Sequence, residues 1–81
     1  MMFFYTYVLR SLYDGDHYVG YTNNLRRRLE EHNSGKVKSS SPYRPYKIIY
    51  TESFITLREA RQREKFYKST TGRRKLHEII G

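Results

Sequence analysis

Eighty-one residues without a single cysteine have to close a core with no covalent staple. A chain of this length buries only about 60% of the surface its unfolded form exposes, so the core is thin. The expected organisation is one compact domain over residues 1–81. The absence of cysteine suits a reducing compartment. The longest apolar runs, around Tyr7-Val8-Leu9 and Ile48-Ile49-Tyr50, are too short to cross a bilayer. Met1-Met2-Phe3-Phe4 has neither the basic leader nor the long apolar region of a signal peptide. These readings predict a cytoplasmic protein with no membrane partner.

A thin core must be drawn largely from aromatic residues. The chain has nine Tyr, four Phe and no Trp. Tyrosine packs its ring while its hydroxyl reaches a polar partner, so most of the nine are expected in the core. The surface is strongly cationic: sixteen Lys and Arg against eight Asp and Glu give a formal charge of +8. Such a field attracts phosphate backbones directly and through counterion release. Anionic membranes and acidic proteins are attracted too, but no long basic amphipathic helix is present, so nucleic acid leads.

Local patterns divide the chain. Phe3 to Leu9 reads as a strand, Asp14-Gly15-Asp16 as a turn, and His17 to Thr22 as the returning strand of an antiparallel hairpin. Thr22-Asn23-Asn24 offers capping side chains for a helix over Leu25 to Asn33, with Leu25 and Leu29 on one face and Gly35 as its C′ residue. Residues 33–46 hold two prolines and four serines and read as a loop, expected to be mobile when free. Lys47 to Glu52 is a third strand, with Ile48 and Ile49 on opposite faces. Thr56 and Glu59 form a capping box that starts a helix running to about Ser69. Gly72 breaks the pattern, and a last short helix carries Leu76, Ile79 and Ile80. The fold class is therefore α/β in the α+β sense: a three-stranded antiparallel sheet flanked by helices, in the order ββα-β-αα.

Two positions do not fit a plain amphipathic reading. Glu64 falls inside the apolar stripe Leu57, Ala60, Tyr67, where a carboxylate is costly unless paired or bound to metal. Spacing alone leaves a metal ligand and a buried pair with Arg28 equally open. Arg26 and Arg27 each have a glutamate at i+4, the spacing of ordinary surface pairs, whereas Arg28 has His32 there and Glu31 at i+3. Arg28 and His32 make a hydrogen-bond-donating edge, and the planar arginine fork suits phosphate. Taken singly, a lone His is more often a surface or capping residue, and an Arg edge is usually just solvated.

Taken together, these residues resemble the GIY-YIG nuclease family. The resemblance rests on Tyr5-Thr6-Tyr7, Tyr18-Val19-Gly20, Asn24-Leu25, Arg28, His32 and the later Glu59-Ala60 with Glu64, and covers essentially the whole chain. The first motif is degenerate, with Tyr5 and Thr6 where the family has Gly and Ile. Tyr21 stands where the repair branch has Lys, and an Asn that some members carry after the glutamate has no counterpart. The length is similar to that of small stand-alone bacterial members. The resemblance implies hydrolysis of phosphodiesters in DNA, branched or damaged DNA included, with RNA left open. It implies one divalent cation, usually Mg²⁺ with Mn²⁺ as a substitute, held by Glu64. Arg28 would hold the scissile phosphate, Tyr7 and Tyr18 would orient or deprotonate water in an unassigned order, and His32 would handle a proton.

Elementary chemistry accommodates these roles. A phenol with pKa near 10 becomes a usable base if a cation lowers it. Mg²⁺ keeps most of its waters, so one carboxylate suffices. A zinc site is excluded by the lack of cysteine and of ligand spacing among the three histidines. Arg26, Lys36, Lys38 and Arg44 are the expected backbone contacts to nucleic acid. A protein partner supplying specificity is a further expectation, and the rival readings are a non-cutting nucleic-acid-binding module or an accessory protein.

Overall fold

Cross-strand pairing extends the strands beyond their apolar runs. The computed structural model describes residues 2–81; Met1, part of the amino-terminal segment read above for a leader, lies outside them. Strand β1 (Phe4–Ser11) is central, with β2 (His17–Thr22) and β3 (Tyr46–Phe54) antiparallel on either side. β1 runs to Ser11 rather than Leu9 because Arg10 pairs with His17 and Ser11 with Tyr46. In the turn, Ser11 Oγ accepts the amides of Tyr13 and Asp14, and Gly15 takes φ +80°, which a side chain would disfavour.

Helix α1 (Leu25–Asn33) is capped by Asn24, whose Oδ1 accepts the Arg27 amide at 3.0 Å, and Gly35 follows it at φ +85°. Helix α2 (Leu57–Lys68) begins on the Thr56–Glu59 box, with the Glu59 amide 3.2 Å from Thr56 Oγ1. Helix α3 (Thr70–Ile80) completes the order ββα-β-αα.

The two-residue period of β1 splits the core between two faces. Val8 packs with Val19, Tyr67 and Leu76 under α2 and α3, while Tyr7 and Leu9 pack with Tyr46, Leu25 and Leu29 under α1. Ile48 and Ile49 join opposite clusters. The register slips between them, since Val8 pairs with Tyr50 but Leu9 with Ile48, leaving Ile49 as a bulge.

Two expectations need correction. The α2–α3 break is at Ser69, not Gly72: Ser69 Oγ accepts the Gly72 amide at 3.1 Å and caps α3. Gly72 lies inside α3, where a Cβ would collide with the Phe66 carbonyl oxygen and come within 2.8 Å of Tyr67 Cα. Its lack of a side chain serves the close helix junction. Leu57 and Ile79 are exposed, so neither apolar stripe is complete. Residues 33–46 contain a 3₁₀ turn (Ser41–Tyr43) and are fastened at both ends, by Asn33 to both backbone groups of Tyr46 and by Ser11 Oγ to the Tyr43 carbonyl. Among the described residues no helix is long and apolar enough to cross a membrane.

Candidate active site

The site begins with a missing side chain. Tyr7 of β1 pairs with Gly20 of β2, and its ring lies directly over that glycine. A Cβ on Gly20 would sit 2.5 Å from Tyr7 Cζ, so the glycine of Tyr18-Val19-Gly20 is a steric requirement. The ring is 2% exposed. Its hydroxyl meets two groups from one face of α1: Arg28 Nε donates to it at 3.3 Å, and His32 Nε2 lies at 2.9 Å. Arg28 and His32 reach the same point because they are four residues apart on a helix.

Electrostatics at Tyr7 run against the simplest expectation. Burial dominates and raises the phenol above its usual 10; Arg28 opposes this, while the negative fields of Tyr18 and Glu64 add to it. In the resting site, then, the cation does not make Tyr7 a low-pKa base. His32 is neither a surface nor a capping residue: it is fully buried and aimed at Tyr7. Burial, aided by Arg28, lowers its pKa to about 4, so the ring is neutral near pH 7. Tyr18 turns its ring edge-on to His32, with centroids 4.7 Å apart. Tyr7, Tyr18, Arg28 and His32 therefore form one contiguous cluster.

Glu64 approaches from α2, on the other face of the sheet. Its side chain is 15% exposed and its ion-pair partner is Lys68 at 3.4 Å. The alternative pair with Arg28 does not form; Arg28 binds Glu31 at 3.1 Å. Glu64 bears on the cluster through its charge, which adds a little to the raising of the Tyr7 phenol, and its partner's Lys68 ammonium lies 5.9 Å from the centre of the Tyr18 ring. Among the described residues no three His, Asp or Glu side chains converge as metal ligands. A lone carboxylate with one flexible ammonium partner suits a hard cation that keeps its waters better than a cation held in a protein cage.

The residues expected to contact nucleic acid lie on the surface. Arg26, Lys36, Lys38 and Arg44 are exposed. Arg26 pairs loosely with Glu30 at 3.8 Å, and Arg44 Nη1 is used on the Ser41 carbonyl and hydroxyl. A cationic cavity of about 360 Å³ instead opens beside Tyr18, rimmed by His17, Lys68, Arg73 and His77. Neither Lys68, at i+4 from Glu64, nor Arg73 stands out from the sequence pattern. Nor does Glu52, a carboxylate on β3 that receives hydrogen bonds from Tyr50 Oη, Tyr67 Oη and Arg63 Nε. Burial works to raise its pKa, but these donors prevail and hold it below the usual carboxylate range. All three donors to Glu52 come from the core and its edge, which makes this a structural knot.

The fold and sequence have clear relatives. The chain is 47% identical over 72 residues to a UPF0213 protein of Bacillus pumilus, a match spanning 88% of this chain and 72% of that one. It is 44% identical over 63 residues to the UPF0213 protein YazA of Bacillus subtilis, spanning 76% of this chain and 64% of the relative. The solution NMR structure of a UPF0213 protein from Bacillus halodurans superposes with a TM-score of 0.58 at 32% identity, covering 99% of this chain and 87% of that one. Residues 3–77 match the GIY-YIG catalytic domain. The Tyr7–Gly20 stack, the Arg28/His32 face and the helix bearing Glu64 all lie inside that match, and the chain belongs to the GIY-YIG family of nuclease domains.

Proposed function

We propose that this chain is a divalent-metal-dependent endonuclease that hydrolyses phosphodiester bonds in DNA. One observation carries the reading: the Tyr7 hydroxyl is held between a guanidinium donor, Arg28 Nε, and an imidazole nitrogen, His32 Nε2. A phenol so placed can take a proton from water on one side while passing its own to His32 on the other. This removes the need for a low phenol pKa, which burial denies it. Water attacks phosphorus, its proton goes to Tyr7 Oη, the Tyr7 proton goes to His32 Nε2, and the bond to the leaving oxygen breaks, that oxygen taking a proton from solvent. Arg28 holds a non-bridging oxygen and offsets the charge that builds there. Tyr18 packs on His32 and keeps its ring upright. Glu64 is the residue to hold Mg²⁺, or Mn²⁺ in its place, which when bound supplies further charge neutralisation at phosphate.

The +8 charge and the cationic cavity beside Tyr18 support a polyanionic substrate. The test is a panel of single-stranded, duplex, flapped and four-way-junction DNA, with RNA counterparts, incubated with Mg²⁺ or Mn²⁺ over a salt series. Cleavage that needs the cation, and binding that weakens steeply with salt, is the expected result. Salt-dependent binding with no cleavage of any substrate would replace this reading with a non-cutting module whose activity depends on a protein partner.

A further inference from the structure

The loop after α1 delivers one fully buried hydroxyl to the site. Ser40 is 0% exposed, and its Oγ lies 2.7 Å from His32 Nδ1, the nitrogen facing away from Tyr7. Ser40 Oγ is also 3.3 Å from the Val37 carbonyl, which can only accept. At the other end, the neighbours of the Tyr7 hydroxyl are Arg28 Nε, which can only donate, and His32 Nε2. These constraints allow one continuous arrangement of hydrogens. Arg28 donates to Tyr7, Tyr7 donates to His32 Nε2, His32 Nδ1–H donates to Ser40 Oγ, and Ser40 donates to Val37. The reversed chain leaves the Tyr7 hydrogen without an acceptor and gives its oxygen two donors.

We infer that Ser40 is a positioning residue that holds neutral His32 in the Nδ1–H tautomer, so that Nε2 is free to receive the Tyr7 proton. Ser40 touches no reacting atom and acts through His32. Its own place is secured independently of its side chain: the Ser40 amide donates to the Val37 carbonyl at 3.2 Å, and its carbonyl accepts from Tyr46 Oη at 3.1 Å. Removing the hydroxyl therefore leaves the loop's backbone bonds in place. When His32 becomes imidazolium in the proposed reaction, Nδ1–H keeps its acceptor and only Nε2 changes state. The catalytic consequence rests on the nuclease reading; the tautomer does not.

The test is long-range ¹H–¹⁵N correlation of His32 in the full chain and in Ser40→Ala and Ser40→Thr, near pH 7. The parent should show Nδ1 protonated and Nε2 bare. Ser40→Ala should move His32 toward Nε2–H, because Nδ1–H has lost its buried acceptor, and Ser40→Thr should restore the parent pattern. On a cleavable substrate, Ser40→Ala should lose kcat by roughly 10²-fold, the scale of general acid–base assistance, with KM little changed and with recovery in Ser40→Thr. A parent His32 protonated at Nε2, or a Ser40→Ala protein that keeps the Nδ1–H signature, would overturn the assignment. The NMR measurement needs no substrate, so a protein that cuts nothing still answers it.

Discussion

Gly20→Ala is the smallest change that tests the site as built. The added methyl would lie 2.5 Å from Tyr7 Cζ and 3.0 Å from Cε2, whereas carbon atoms rest about 3.5–4.0 Å apart. The ring must therefore recede by about 1 Å. A free phenol end would do so cheaply, but this one is 2% exposed and is held by His32 and Arg28. Overpacking of this kind costs about 1–3 kcal/mol. Gly20 does not have a positive φ, so alanine is not strained there and recovers about 0.4–1 kcal/mol by restricting the unfolded chain. The net expectation is a loss of about 1–2 kcal/mol, or very roughly 10 °C in Tm for so small a domain. Activity should suffer more: a displacement near 1 Å at the chemistry costs about 10²-fold. Thermal melts and single-turnover cleavage measure the two effects. Combining Gly20→Ala with Tyr7→Phe should be sub-additive in stability, because the shorter ring meets the methyl less closely. A Gly20→Ala protein that melts and cuts like the parent, or a fully additive cycle, would refute the stacking argument.

Other expectations follow from the ion pairs, the buried imidazole and the helix junction. Glu64→Gln should stay folded, since its pair with half-exposed Lys68 is worth about 0.3–0.5 kcal/mol, yet lose Mn²⁺ binding and cleavage; an Mn²⁺ titration unchanged from the parent would reject Glu64 as the ligand. His32 has a folded pKa near 4 against an ordinary 6.5, so the unfolded state takes up the extra proton between those values. Stability from this source, on the order of 3 kcal/mol, is complete above about pH 6.5 and mostly lost by pH 4.5, as urea melts should show. Glu52 is shifted down from the carboxylate range, so its contribution is present above that range and fails only as pH falls through its lower folded value. Gly72→Ala should destabilise more than Gly20→Ala, because the obstruction is the Phe66 backbone rather than a side chain, and a melt within about 1 kcal/mol of the parent would contradict the close junction.

What was legible before the structure follows the range of the interactions involved. The Gly15 turn, the Asn24 cap, the Thr56–Glu59 box and the Arg26 and Arg27 pairs are closed within four residues of sequence, so residue type and spacing were enough. Gly72 looked like a helix breaker because its reason is tertiary: the carbonyl of Phe66 at the end of the preceding helix occupies the space of its missing Cβ. Ser40 is one of three consecutive serines, and nothing local separates it from Ser39 or Ser41; only closure of the loop puts its hydroxyl on His32. Leu57 has the helical spacing of a buried stripe with Ala60 and Tyr67, a stripe that invites a Glu64–Arg28 pair, yet it is exposed. The two residues in fact come from helices on opposite faces of β1, and each finds a partner on its own helix, Lys68 and Glu31. This outcome bears on how the site works. Were Glu64 and Arg28 paired with each other, substrate phosphate and cation would have to break one contact together. In the proposed reaction, separate and partly exposed partners would let each be loaded independently at a small cost, while the Tyr7–His32–Ser40 chain stays buried and already ordered.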